Sequence, residues 1–227
     1  ASVNLVNTSK VKSKQNLGYD KIAGLSYQVN GSFHHNPPRE LLDLDTLQFP
    51  RRDVRLLKKG FHVFGVPLDA IETSRGCTHN CKFCSISRMY GRNFRRYKIE
   101  RILQDIKNVR DYGAKAAAIV DDNITLDVNR FEEICEAIID ARLNDMHYSV
   151  QASTRGIASN VKLAQKMGDA GVKLVFLGIE SVTQASLNFL GKSHAVEHDT
   201  VKAVNYLKDN GIIIVGGFIV GNPDDNE

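Results

Sequence analysis

The sequence predicts an α/β fold built on a parallel β-sheet. From residue 67 onward, short apolar segments of strand length alternate with longer segments whose apolar residues recur every three or four positions. The connections are short, and regular alternation of this kind is typical of parallel strands joined by helices. About five βα units are present. Right-handed crossovers could close them into a barrel or leave an open sheet, and the pattern does not choose between the two.

The elements of this core follow one another in regular order. The predicted strands are short and mostly apolar: 70–73, 116–120, 148–152, 172–179 and 212–220. The predicted helices have apolar residues at helical spacing: 99–112, a helix starting at 127, 161–170 and 200–210. Three of these helices are followed directly by a glycine, which is a common helix stop signal. Cys135 falls on the apolar face of the second helix, so we expect it to pack in the core.

Residues 1–66 lack this rhythm and predict a linker together with the edge of a missing N-terminal domain. A short strand is predicted at 21–27, followed by a turn at Asn30-Gly31. Two consecutive prolines further along exclude regular structure in the connector. The core is therefore predicted to occupy residues 67–227.

The composition is that of an ordinary globular protein, with 42% hydrophobic and 25% charged residues in a chain of 227. The net charge of +4 is a mild basic excess, which by itself says little about nucleic acid, and no nucleic-acid partner is expected. No apolar run reaches the roughly 18 residues of a membrane span, and no secretory leader is visible. Arg92, Arg95 and Arg96 are interpreted as solvated surface rather than as a patch for an acidic group.

Three of the four cysteines, Cys77, Cys81 and Cys84, lie within eight positions directly after the first predicted strand. This spacing is a poor disulfide framework but a good metal framework, so a reducing cytoplasm is the expected setting. Three local thiolates around an iron–sulfur cubane would leave one iron open to an exogenous ligand. A structural zinc site is the alternative, but it needs four protein ligands, and His79 lies awkwardly within the loop.

The loop resembles the signature of the radical S-adenosylmethionine (SAM) superfamily, including Phe83 directly before the last cysteine. The resemblance implies a [4Fe–4S] cluster bound by the three cysteines, and SAM chelated to the open iron. It also implies reductive cleavage of SAM to a 5′-deoxyadenosyl radical, with electrons from a donor of the flavodoxin or ferredoxin type. The implied fold is a partial (β/α)6 TIM-type barrel. Because that barrel usually has six strands, we expect the chain to be truncated at its C-terminal end.

The resemblance also assigns polar groups at later strand ends to SAM binding. Asp121, Asp122 and Asn123 follow the second strand, where the family binds the SAM amino group, although this sequence has acids and an amide in place of the usual Gly-Gly-Glu. The alternative for these three is an Asx turn or helix cap. The remaining implied positions are Ser153 near the ribose, Arg155 on the carboxylate, Glu180 as a hydrogen-bonding group, and Gly217 and Ile219 in the strand that packs against adenine. An exposed loop arginine is the alternative for Arg155, and buried strand packing alone is equally compatible with the last strand.

Segments 24–52, 120–123 and 178–181 resemble the subgroup that carries a cobalamin-binding domain. That subgroup includes C-methyltransferases and the anaerobic magnesium-protoporphyrin ester cyclase, which act on small-molecule substrates. The cobalamin domain is expected outside this chain, and His34 and His35 are interpreted as surface residues rather than cobalamin ligands. A methylthiotransferase-like tRNA-modifying enzyme and a zinc module remain the alternatives. The substrate and the catalytic residues that would act on it are not predicted.

Overall fold

The computed structural model describes residues 5–6, 18–55, 61–63, 65–192, 197–223 and 225. The chain divides into two compact units, residues 1–46 and 47–227. The strands are β1 (Leu5–Val6), β2 (Ser26–Val29), β3 (Ser32–His35), β4 (His62–Val63), β5 (Val66–Ile71), β6 (Ser74–Arg75), β7 (Arg95–Arg96), β8 (Ala116–Ile119), β9 (His147–Ser153), β10 (Val172–Glu180) and β11 (Ile213–Phe218). The α-helices are α1 (Ile86–Tyr90), α2 (Ile99–Asp111), α3 (Val128–Asp140), α4 (Thr154–Ala158), α5 (Val161–Asp169), α6 (Gln184–Phe189) and α7 (Glu197–Asp209).

The first unit contains a three-stranded sheet in the order β1-β2-β3. The predicted turn at Asn30-Gly31 is confirmed, since both residues have positive φ and join the antiparallel strands β2 and β3. The strand predicted at 21–27 lies further along the chain. The strand begins only at Ser26, because a 3-10 turn occupies Tyr19–Lys21 and Gly24 has a left-handed backbone conformation (φ +73°).

The second unit is organised by five parallel strands, β5, β8, β9, β10 and β11, whose spatial order follows the chain. The short strand β4 pairs antiparallel with β5 at one edge. Because each new strand is added on the same side, right-handed crossovers place the connecting helices on one face of the sheet. A doubly wound sheet would reverse the direction of addition. The strand order therefore favours the barrel over the open sheet.

The helix-covered face of the sheet forms the core. Tyr148, Val150, Val175 and Leu177 alternate along β9 and β10, and each is at most 2% exposed. The helices contribute apolar side chains at helical spacing: Ile102, Ile106, Val109, Phe131, Ile134, Ile138, Leu163 and Met167. Cys135 is 1% exposed within this layer, so its predicted role in core packing is confirmed.

Several elements differ from the sequence prediction. Strand β5 begins earlier than the predicted segment 70–73. Proline is uncommon within strands because it has no N–H to donate, but the Pro67 carbonyl still accepts a hydrogen bond from the Lys115 N–H (2.9 Å). Helices α1, α4 and α6 were not predicted, since five or six residues are too short to show a period. Within the described part of the chain, no helix is both long and apolar enough to cross a membrane.

A buried arginine fixes the segment before β5 to the sheet. The Arg52 guanidinium is 1% exposed and donates to Asp69 (3.1 Å), Asp105 (2.6 Å) and the Ala70 carbonyl (3.0 Å). Arg55 also pairs with Asp69 (2.7 Å). Packing of the second unit thus begins before residue 67, whereas the assignment of residues 1–66 to a linker and a missing domain stays a prediction.

Replacing Arg52 by Ala should lower the free energy of unfolding by about 3–5 kcal/mol, because two largely buried carboxylates lose their shared cation. The neighbouring Arg51 provides the control: its pair with Asp53 is exposed (71% and 41%), so Arg51→Ala should leave the free energy of unfolding nearly unchanged. Urea unfolding measures both. Equal losses in the two variants would show that the Arg52 network does not stabilise the fold as described.

Candidate active site

The cysteine loop begins at a turn that is bonded to the end of the neighbouring strand β8. The Asp121 carboxylate is completely buried and accepts from the Thr73 N–H (2.7 Å), the Ser74 hydroxyl (2.6 Å) and the Thr73 hydroxyl. Burial raises the pKa of Asp121 even though these bonds favour its charged form. Asp121 therefore connects the ends of two adjacent strands and does not line the cavity described below.

The next acid, Asp122, bonds to the loop itself. Its Oδ2 accepts from the Gly76 N–H (2.7 Å). Gly76 has φ +90°, and a Cβ there would lie 2.2 Å from the Asn93 carbonyl oxygen, so only glycine fits this entry to the cysteine loop. The sequence did not choose between Asp121 and Asp122, and the structure gives them different positions: the first is internal and the second lies at the cavity.

A cavity of about 220 Å³ lies at the C-terminal ends of the parallel strands, where α/β barrels place their chemistry. It brings together eight of the predicted site residues: Cys77, Cys81, Phe83, Cys84, Asp122, Asn123, Ser153 and Glu180. Gln151, Phe176 and Gly178, on the sheet face opposite the core residues, also line it. The open inner face of the sheet thus supplies one wall and the cysteine loop another.

The three loop cysteines are free thiols of intermediate exposure. Burial raises the pKa of the Cys77 and Cys81 thiols, and the nearby Lys192 acts in the opposite direction. Across the described residues, no three His, Cys, Asp or Glu side chains converge on the position of a single ion. In an iron–sulfur core each thiolate would bind a different iron.

Helix caps account for part of the predicted SAM site. The Asn123 side chain accepts from the Thr125 N–H (3.2 Å) and so caps the 3-10 turn Ile124–Leu126 rather than the helix that follows, and the residue also lies on the cavity wall. Ser153 caps α4 by accepting from the Gly156 N–H (3.2 Å) and also lines the cavity. Arg155 is exposed in α4 and lies outside the cavity lining.

Glu180 ends β10 in a left-handed conformation (φ +64°), and its Oε1 accepts from the Lys192 ammonium (2.9 Å). Lys192 is 5% exposed and lines the same cavity. The sequence analysis missed this residue, because Gly191-Lys192 after a short helix has no pattern that distinguishes it from a surface turn.

The predicted positions in β11 and just after it lie outside the cavity lining, beside β10 in the same sheet. Gly217 leaves room for the Phe176 ring, since a Cβ there would lie 2.9 Å from its Cζ. The Ile219 N–H donates to the Glu180 carbonyl (2.9 Å). These two residues therefore position Phe176 and Glu180 rather than lining the cavity themselves.

Comparison with protein families decides the assignment. The model of the radical SAM superfamily matches residues 71–227, which include the last residue of β5, the cysteine loop and the other four parallel strands. The chain belongs to the radical SAM superfamily. The family predicted from the cysteine loop and strand ends is thereby confirmed.

Individual relatives place this radical SAM chain near methyltransferases and a cyclase. It is 34% identical over 206 residues to an uncharacterized methyltransferase of Pyrococcus horikoshii, covering 90% of this chain and 44% of that protein. It is 29% identical over 149 residues to the anaerobic magnesium-protoporphyrin IX monomethyl ester cyclase of Rubrivivax gelatinosus, covering 65% of this chain and 26% of the cyclase. The chain spans less than half the length of either relative.

Among solved structures, the radical SAM chain resembles the cobalamin-dependent S-adenosylmethionine radical enzyme OxsB, solved with aqua-cobalamin and S-adenosylmethionine bound. The TM-score is 0.70 at 19% sequence identity, over 88% of this chain and 30% of OxsB. The likeness confirms the predicted partial TIM-type barrel.

Proposed function

We propose that this chain is the core of a radical SAM enzyme in which Cys77, Cys81 and Cys84 hold a [4Fe–4S] cluster. The observation that carries the proposal is that the three thiols and the polar ends of β8, β9 and β10 line one cavity. When bound, the cluster would supply the electron for reductive cleavage of SAM to a 5′-deoxyadenosyl radical, with its fourth iron open to the amino and carboxylate groups of SAM.

The chain's own polar groups would orient SAM beside that iron. Asp122 has a carboxylate on the cavity wall that can accept from the SAM ammonium, and Asn123 lies next to it. Ser153 and Glu180 also line the cavity, where the Ser153 hydroxyl can bond to the ribose and the Glu180 carboxylate can accept from the ribose or the amino acid part. Arg155 is not part of the cavity lining, but its charge acts on His79, which lines the cavity, and we assign Arg155 to the SAM carboxylate.

The apolar side of SAM would meet a different set of groups. Phe83 is 48% exposed and borders the cavity between two cysteines of the loop, so its ring can cover the nucleoside. The backbone at Gly217 and Ile219 would lie behind the adenine, as the family resemblance implies. Asp121 is assigned a structural role in this proposal, because its oxygens bond to Thr73 and Ser74.

We further propose that the reaction is a cobalamin-dependent methyl transfer or a related modification of a small molecule. The support is the relatives' names: a methyltransferase, an ester cyclase and a cobalamin-dependent SAM radical enzyme. The cobalamin would be held by a part of the protein outside these 227 residues. All four cysteines are free thiols, which supports a reducing, cytoplasmic setting.

Anaerobic reconstitution of the protein with iron and sulfide should yield about four iron and four sulfide per chain, as a [4Fe–4S] cluster requires. Each of the single variants Cys77→Ala, Cys81→Ala and Cys84→Ala should lose most of the bound iron and sulfide. Cys135→Ala is the matched control, because that thiol is buried among apolar side chains of α3, and it should keep the cluster. Bound zinc without acid-labile sulfide would contradict the proposal.

A low-potential electron donor of the flavodoxin or ferredoxin type is the proposed protein partner. Residues 73–99, which surround the cysteine loop, contain seven of the 30 Lys and Arg residues and none of the 26 Asp and Glu residues. The chain's excess of four positive charges therefore comes entirely from this segment. A basic surface beside a redox centre would steer an acidic carrier toward it.

Reversing the charge of Arg88, which is exposed in α1, should slow cluster reduction by an acidic flavodoxin about three- to tenfold at low salt. The loss should shrink as ionic strength rises, because salt screens the attraction. Stopped-flow absorbance follows the reduction. Lys107→Glu, an exposed site on α2 outside the segment, is the control. Equal slowing by Lys107→Glu, or equal slowing when dithionite is the reductant, would refute a docking role for Arg88.

A further inference from the structure

A lysine is buried against the wall of the cysteine cavity. The Lys192 side chain is 7% exposed, and its ammonium donates to Glu180 Oε1 (2.9 Å) and to the Gly178 carbonyl (2.8 Å). Burying an ammonium is unfavourable unless it is paired and hydrogen-bonded, and here both conditions are met. The pair lines the same cavity as the three cysteines, so its charges lie close to any group bound there.

The backbone before Lys192 packs on the cysteine loop. The Leu190 carbonyl accepts from the Lys82 N–H (2.9 Å), between the second and third cysteines. Gly191 has φ +72°, and a Cβ there would lie 3.0 Å from the Asn80 carbonyl oxygen. Residues 190–192, which we call the strap, therefore connect the cysteine loop to the end of β10.

Glu180 is held in a conformation that a glutamate rarely adopts. Its left-handed backbone (φ +64°) is strained for a residue with a side chain, so the surroundings must hold it there. The Lys192 ammonium binds its side chain, and the Ile219 N–H binds its carbonyl. Strain of this kind is often found where a side chain must be aimed at a site.

We propose that Lys192 is a positioning residue that holds the Glu180 carboxylate at the cavity wall and neutralises it beside the cluster. This inference rests on the proposed function, because it concerns the cluster held by the loop cysteines. A lone carboxylate at this wall would oppose the addition of an electron to the cluster, whereas a neutral pair does not. Net charge near a cluster is one of the factors that set its reduction potential.

The proposal predicts opposite shifts in the midpoint potential of the reconstituted cluster, measured without SAM by EPR-monitored redox titration. Lys192→Met leaves an unpaired carboxylate and should shift the potential to more negative values. Glu180→Gln leaves an unpaired ammonium and should shift it to less negative values. Each shift should be on the order of tenfold in the ratio of reduced to oxidised cluster, or about 59 mV for one electron.

Two further variants separate charge from packing. The double variant Lys192→Met with Glu180→Gln should return close to the wild-type potential, because the wall is neutral again. Lys192→Arg keeps the cation and should also stay close to wild type. Since Glu180→Gln removes only a charge and keeps the shape, it tests the proposal even if Lys192→Met fails to fold or to bind the cluster.

The outcomes distinguish this inference from the proposed function. If the wild-type protein takes up no iron–sulfur cluster, the proposed function fails and the inference fails with it. If wild type and Glu180→Gln both carry about four iron, but Glu180→Gln leaves the potential unchanged or shifts it to more negative values, only the role of the pair is overturned.

Discussion

The site depends on a buried carboxylate that joins two strand ends. Asp121 follows β8 and accepts hydrogen bonds from both Thr73 and Ser74, which follow β5. These bonds fix the direction in which the chain leaves the sheet, and the cysteine loop starts three residues later, at Cys77. The adjacent Asp122 then bonds to the Gly76 N–H and faces the cavity. Asp121 therefore holds the start of the loop, and Asp122 lines the site.

The cavity lies between the cysteine loop and the face of the sheet that the helices do not cover. Along β9 and β10 the residues under the helices are buried, whereas Gln151, Phe176 and Gly178 alternate with them and face the cavity. A strand that alternates in this way can serve the core and the site at once. The strap is a second attachment of the cysteine loop: Asp121 bonds to residues before the loop, and the strap bonds to the loop itself through the Lys82 N–H. It also contains Lys192, the only buried lysine among the described residues.

Much of the fold was predictable because its signals are local. Helices α2, α3, α5 and α7 show helical spacing, and the cysteine spacing identifies the family without any tertiary information. The different positions of Asp121 and Asp122 were not predictable, since which of two adjacent residues turns inward depends on how the chain leaves the strand. Lys192 was missed for a related reason: its burial depends on a partner twelve residues earlier and on contact with the cysteine loop. Gly217 and Ile219 were assigned from a family pattern, and the structure places them outside the cavity lining, next to β10.

The central claim is that the cysteine loop and the strand ends form one site for reductive cleavage of SAM. The most direct measurement is of 5′-deoxyadenosine, by liquid chromatography and mass spectrometry, after the anaerobically reconstituted full-length protein is mixed with dithionite and SAM. The account predicts 5′-deoxyadenosine in the wild-type protein and its loss in Cys81→Ala. A protein with an intact, fully reduced cluster that binds SAM and yet forms no 5′-deoxyadenosine would contradict it.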